Sequence, residues 1–293
     1  MSNRHRLCTR STMSRQRLIE ATCLQFPASL PETVFNSPIG PIPSTAEKVA
    51  ILLHGSSASS QAMHAMGKAL STSGVTTFAL DVRGHGDSGV RGDIGYIRQL
   101  EDDLSDFVAY LRKAYPKAPI TLIGHSSGGG FALRVAGGPI GGLCRKYILL
   151  APYLSYDAPT TRPNSGGWAK ASVPRIIALT ILHGLGLDWF AGLPVVAFAT
   201  PEDAKDILTG TYSYRLWANY RSPRDYLDEF RRSSAPITVL VGKDDEILYA
   251  DKYEAALDSV KQQVRIALIS GVGHMAIVSD TAALNALVKT YGE

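Results

Sequence analysis

Cysteine is scarce in this chain: 293 residues contain three, Cys8, Cys23 and Cys144. An odd count without metal-ligand spacing fits a reducing, cytoplasmic compartment better than a disulfide framework. Acidic residues are missing from the start, where Glu20 is the first. That absence explains the formal net charge of +4. Of 30 basic side chains, five (Arg4, Arg6, Arg10, Arg15 and Arg17) lie within residues 1–17, leaving 25 to face 26 acids. A near-neutral body offers no basic stripe, so no nucleic-acid partner is expected. Residues 1–17 also lack an apolar h-region, and no secretory signal is read there. Their Arg- and Ser-rich character resembles a transit peptide; a plain extension, or translation from Met13, is the preferred reading. Long apolar runs are lacking too. The most apolar stretch, Ile176 to Ala199, is broken by Asp188, Gly184, Gly186, Gly192 and Pro194. Its longest charge-free run falls short of the roughly 18 residues a spanning helix needs. A transmembrane segment is excluded.

What is present is a rhythm. After an irregular, Pro-, Ser- and Thr-rich lead-in to residue 45, short apolar runs alternate with amphipathic ones. Val49–Leu53 reads as a strand buried on both faces, and Thr76–Leu80, Ile120–Ile123, Tyr147–Leu150, Ile237–Val241 and Val264–Ile269 read as further strands. Between them fall helices: one carrying Met63, Met66 and Leu70, one over residues 98–115, one near Asp251–Leu257, and a last one opening at Asp280. The helix over 98–115 repeats Leu100, Leu104, Phe107, Val108 and Leu111 at helical spacing and ends before Pro116. The alternation predicts an α/β fold with a doubly wound, mostly parallel sheet. It breaks between residues 152 and 232. That stretch holds all three tryptophans, Trp168, Trp189 and Trp217, and six of thirteen tyrosines. It reads as a largely helical cap inserted over the sheet's C-terminal edge, between core segments 46–151 and 233–293.

The strand Ile120–Ile123 runs into Gly124-His125-Ser126-Ser127-Gly128, a G-x-S-x-G sequence with a helix behind it. This context is that of a nucleophile elbow, in which a serine sits on a tight strand-to-helix turn. No phosphate-binding G-x-x-x-x-G-K-[ST] or G-x-G-x-x-G pattern follows a strand. A serine hydroxyl needs a base within hydrogen-bond reach, and only His183 and His274 follow Ser126. His274, in G-V-G-H-M just after the last strand, is the candidate base, whereas His183 lies in the apolar insertion and reads as packed or surface-bound. The acid follows Ile237–Val241, where Asp244, Asp245 and Glu246 stand together; position alone does not choose among them, and the other two read as solvated loop charges. The loop His54-Gly55-Ser56-Ser57 faces the elbow, so the amides of Ser56 and Ser127 are the candidate oxyanion-hole pair. The Ser56 side chain reads as a turn former, ahead of a third oxyanion donor.

Taken together, L-L-H-G-S-S, L-D-V-R-G-H-G-D-S-G, I-G-H-S-S-G-G, V-G-K-D-D-E-I and G-V-G-H-M resemble the α/β-hydrolase superfamily. The likeness covers roughly residues 46–293 and is nearest to the lysophospholipase, monoacylglycerol lipase and serine-aminopeptidase-like branch. It implies an acid three residues after the strand-end glycine, which is Asp245, and it supports Ser56 and Ser127 as oxyanion donors. It implies a structural role for Arg83–Ser88, so that His85 and Asp87 are not catalytic. The leading strands usual in such proteins are not legible in residues 18–47. The expected activity is hydrolysis of carboxylic esters of apolar acyl groups through an acyl-enzyme on Ser126, without metal or organic cofactor. The partner is a small apolar ester or lipid-like substrate, with transient lipid-surface contact through Ile176–Ala199. Acyl transfer, amide or peptide cleavage, or C–C bond hydrolysis by the same residues is the alternative, and a non-catalytic ligand-binding scaffold is a third reading. No cluster of arginines fit to grip a phosphate is visible.

Overall fold

The computed structural model describes residues 46–293, together with the backbone of Cys23–Phe26. The readings of the remaining lead-in and of the basic start lie outside the described residues. Ten strands and eight α-helices occur among those described. The strands are β1 (Cys23–Phe26), β2 (Val49–Leu53), β3 (Thr76–Leu80), β4 (Ile120–His125), β5 (Lys146–Leu150), β6 (Ala169–Ala171), β7 (Pro194–Phe198), β8 (Thr211–Ser213), β9 (Ile237–Gly242) and β10 (Val264–Ile269). The helices are α1 (His64–Thr72), α2 (Gln99–Ala114), α3 (Ser127–Gly137), α4 (Val173–Gly184), α5 (Tyr214–Asn219), α6 (Tyr226–Arg232), α7 (Tyr253–Ala256) and α8 (Thr281–Gly292).

Seven strands form one sheet in the order β1-β3-β2-β4-β5-β9-β10. β1 runs antiparallel to β3, and all other neighbours are parallel. β2, β4 and β9 are buried at every position, as strands covered by helices on both faces must be. α2 turns Leu100, Leu104, Phe107, Val108 and Leu111 inward; Glu101 and Asp102 sit in its first turn and Arg112 and Lys113 in its last, matching the helix dipole. α8 is capped by the Asp280 carboxylate, which accepts the amides of Ala282 and Ala283. The parallel register brings Leu53, Gly124 and Leu149 side by side, so the loops leaving β2, β4 and β5 converge at one edge.

The chain between β5 and β9 covers that edge. It contains α4, α5 and α6, as a helical cap requires, and also a feature the sequence does not announce. β6, β7 and β8 form a separate three-stranded antiparallel sheet. Two of these strands are three residues long, too short to show a period. The cap is fastened to the body by polar side chains. Asn219 Oδ1 accepts the amides of Arg98 and Leu100 at 2.9 and 3.2 Å, capping α2 from across the interface. Arg215 makes a forked pair with Asp93 at 2.7 and 2.6 Å. Among the described residues, no helix is long and apolar enough to cross a membrane.

Candidate active site

Ser126 sits between β4 and α3 with φ 54° and ψ −117°, a conformation rare for a residue with a side chain. Such backbone costs about 1–3 kcal/mol and persists only where its surroundings hold it. Here the Ser126 amide donates to the Leu150 carbonyl at 2.9 Å, and its own carbonyl accepts from Gly130 and Tyr153 at 2.9 and 3.0 Å. The flanking glycines are dictated by space. A Cβ on Gly124 would lie 2.2 Å from the Gly128 carbonyl oxygen, and one on Gly128 would lie 2.3 Å from that of His54. The turn closes only if both positions lack side chains.

The three residues proposed from sequence meet here. His274 Nε2 lies 3.0 Å from Ser126 Oγ, and its Nδ1 lies 2.7 Å from Asp245 Oδ2. The second Asp245 oxygen accepts the amides of Ile247 and Leu248 at 2.9 and 2.6 Å. Asp245 and His274 are almost wholly buried. The carboxylate therefore accepts Nδ1–H and leaves the Nε2 lone pair facing the serine hydroxyl. Asp244, one residue earlier, is exposed, and of the two aspartates it is Asp245 whose carboxylate meets the His274 ring. His183 is half exposed and pairs with Asp188 at 2.6 Å, as a surface histidine does.

Two of the expectations require correction. Glu246 is not an ordinary solvated loop charge, because its Oε2 accepts the His274 amide at 2.7 Å. Its partner is a backbone group 28 positions away, which no local pattern could announce. The Ser56 hydroxyl is also more than a turn former, since it accepts Trp168 Nε1–H from the cap at 3.0 Å.

The loop after β2 is held from behind. Ser57 has φ 68°. Its amide donates to Tyr212 Oη at 2.8 Å, and its carbonyl accepts the Thr209 amide at 2.8 Å. Tyr212 Oη donates in turn to His85 Nε2, whose Nδ1–H donates to the Val82 carbonyl at 3.0 Å. His85 thus has the structural role expected of its loop. Behind these groups, His54 Nε2 accepts the Val82 amide at 3.2 Å, and Tyr220 Oη donates to the His54 carbonyl. Burial pushes His54 below the ordinary histidine pKa and His85 and His125 well below it, so these rings are neutral. His125 Nε2–H donates to the His274 carbonyl at 3.0 Å. Nothing in the sequence marks it, because it is the variable residue of the G-x-S-x-G run.

Ser56, Ser126 and Ser127 open onto one cavity of about 440 Å³. Ser127 is the first residue of α3, and its amide has no acceptor within the helix. Cap residues Trp168, Val173, Val196, Phe198 and Trp217 line the far side. The two arginines Arg162 and Arg221 line it as well, although nothing in their sequence neighbourhoods brings them together. Among the described residues, no group of three or more His, Cys, Asp or Glu side chains is arranged to hold a metal ion.

Residues 44–281 match the family model described as serine aminopeptidase, S33. The chain belongs to this family of α/β-hydrolases. The monoacylglycerol lipase of Mycolicibacterium smegmatis is 34% identical over 85 residues, a match spanning 28% of this chain and 30% of that protein. Among solved structures, the monoacylglycerol lipase of Paleococcus ferrophilus superposes with a TM-score of 0.62 at 18% identity, covering 92% of this chain and 96% of the other. A soluble variant of monoglyceride lipase from Saccharomyces cerevisiae, in complex with a substrate analogue, gives 0.63 at 16% identity, covering 92% and 89%. At such identities the structural likeness establishes the fold, which is that of an α/β-hydrolase with a cap.

Proposed function

We propose that this chain is a serine-dependent carboxylic ester hydrolase acting on esters of apolar acyl groups, monoacylglycerols and lysophospholipids included. The observation that carries the reading is the imidazole of His274, bonded on one side to buried Asp245 and on the other to Ser126 Oγ. In this scheme Nε2 takes the proton of Ser126 as Oγ attacks the ester carbonyl carbon. Asp245 fixes the tautomer and stabilises the imidazolium so formed. The amides of Ser56 and Ser127 receive the oxyanion, a donor of this kind being worth roughly 10²–10³ in turnover. His274 then returns the proton to the leaving alkoxide, and an alcohol departs from an acyl-Ser126 intermediate. Water, deprotonated by the same imidazole, attacks that acyl group; the carboxylic acid leaves and Ser126 regains its proton. Body segments 46–151 and 233–293 supply this chemistry, and the cap, 152–232, shapes the substrate pocket.

The test is a fluorophosphonate probe combined with p-nitrophenyl esters of graded chain length. The parent is expected to be labelled and active, and the Ser126→Ala variant neither. Equal labelling of both would sink the assignment. Competing alcohol or amine acceptors in the same assay separate hydrolysis from acyl transfer.

The outer side of the cap extends the reading to a lipid surface. Ile177 and Ile181 on α4 and Leu185 just after it recur every fourth residue and are all exposed, followed by Trp189 at 84% and Phe190 at 55% exposure. A strip of this kind favours transient contact with lipid, in keeping with a lipid-like substrate. Vesicle co-sedimentation of the full chain checks it: Ile181→Ser with Trp189→Ser is expected to lower the bound fraction, and no binding by the parent would refute it. Buried, unpaired Cys144 fits a cytoplasmic setting, and burial pushes its thiol up to about 12.

A further inference from the structure

The wall of the cavity holds two arginines and no carboxylate. Arg162 is committed: it donates to the carbonyls of Leu248 and Asp245, both at 3.2 Å, and lies over the Tyr249 ring. Arg221 is not. Its guanidinium stacks over Trp217, 4.4 Å from the ring centroid, and Nη1 donates to the Ser222 carbonyl at 3.2 Å. Its Nε is buried without an acceptor, and among the described residues no acid pairs with it. Asp157 is engaged by Ser155 and by Arg224. The cation of Arg134 repels it.

A guanidinium is charged at any ordinary pH and carries five donors in a rigid fork. Removing one from water without a counter-charge is expensive. This one is also firmly placed. Ser222 Oγ donates to the Leu154 carbonyl, and the Arg221–Ser222 backbone packs so closely on α3 that a Cβ on Gly130 would lie 2.8 Å from the Ser222 amide nitrogen. Gly130 is itself bonded to Ser126. The backbone that carries the cation is therefore fixed relative to the serine, and the Trp217 ring and the Ser222 carbonyl hold the guanidinium. Beside it, the Tyr153 and Tyr156 side chains face the same cavity.

We infer that Arg221 is an anion-recognition group of this pocket, and that the preferred ester carries a carboxylate or phosphate group that reaches it. The inference rests on the serine-hydrolase reading above and narrows its substrate class. The substrate is then an amphiphile, with an apolar part against Trp168, Val196 and Phe198 and an anionic group at Arg221. A carboxylate on the acyl side and a phosphate on the alcohol side offer the same oxygen acceptors to the fork.

Two substrate pairs distinguish these sources: p-nitrophenyl hydrogen adipate against p-nitrophenyl hexanoate, and 1-hexanoylglycerol 3-phosphate against 1-hexanoylglycerol. The full-length parent is expected to show a higher kcat/KM for the anionic member of at least one pair, and that pair names the group. In Arg221→Met the anionic-to-neutral ratio is expected to fall at least about tenfold, and Arg221→Lys is expected to restore part of it. A parent preferring the neutral member of both pairs overturns the proposal without recourse to any variant. So does an Arg221→Met variant that lowers both members equally, which is the signature of lost packing on Trp217. Turnover of neutral esters by Ser126→Ala at the parental rate would refute the serine reading separately, whatever Arg221 does.

Discussion

The backbone amide of His274 donates to the side-chain carboxylate of Glu246 at 2.7 Å, while the imidazole of the same residue bonds to Asp245 next door. Consecutive acids on one loop thus hold one histidine by two different parts, the first by its ring and the second by its main chain. Glu246 touches neither Ser126 nor the cavity. It acts by positioning His274, and it is exposed enough to be replaced without disturbing the core.

Glu246→Gln keeps an acceptor oxygen and removes the charge. Its kcat is expected to fall by roughly threefold to tenfold with KM nearly unchanged, whereas Glu246→Ala falls further, because a hydrogen bond to a charged group is worth about 1.5–3 kcal/mol before solvent exposure weakens it. Steady-state kinetics with one p-nitrophenyl ester checks this order. An unchanged kcat in Glu246→Ala would remove the positioning role.

The two neighbouring aspartates should behave very differently. Asp245→Asn leaves the loop shape but presents the wrong hydrogen-bonding face to Nδ1, and kcat should drop by about 10³–10⁴-fold. Asp244→Asn, at an exposed position, should stay within about twofold of the parent. Equal losses in the two variants would mean that the acid has been misassigned.

Tyr212→Phe removes the hydroxyl that joins Ser57 to His85. Two buried polar atoms then lose their partner, at about 1–3 kcal/mol each. Urea unfolding should show a loss of at least about 1 kcal/mol. Turnover should fall too, because the released loop carries Ser56. A variant as stable and active as the parent would show that the Ser57 turn holds itself.

Stability should decline in mild acid. His54, His85 and His125 have folded-state pKa values lowered by burial, below the value near 6.5 that they recover on unfolding. Below pH 6.5 the unfolded chain therefore binds protons that the folded chain refuses, and stability is lost as pH falls through that window. Each histidine kept neutral contributes a loss of about 1.4 kcal/mol per pH unit. Urea titrations at pH 7.5 and 5.5 measure it. A flat profile between these values would contradict the neutral assignment.

Much of the body was legible because its central strands are buried on both faces. Val49–Leu53 and Thr76–Leu80 are uninterrupted runs of apolar and β-branched residues, and the structure places strands on those same residues. Val264–Ile269 is also a strand, but at the sheet edge, with Arg265 exposed and Ile266–Ile269 half-buried. The elbow was legible because sterics leave little choice at Gly124 and Gly128. Side chains whose partners are backbone groups far along the chain were not legible. Glu246 serves an amide on another loop, and Trp168 serves a hydroxyl 112 positions earlier. The cap sheet escaped notice because its outer strands span less than two alternations. Arg221 stands among aromatic residues, and only the folded chain shows that no acid lies opposite.

Asn219 has a consequence for recombination between relatives. The residue belongs to the cap, yet it supplies the acceptor for two amides at the start of α2 in the body. A foreign cap spliced in place of residues 152–232 would leave those donors orphaned unless it brought an equivalent side chain to the same place. The unit that can be exchanged between such proteins is therefore wider than the inserted segment. It includes the body loops at 54–57, 82–85 and 93–100 that were shaped together with it.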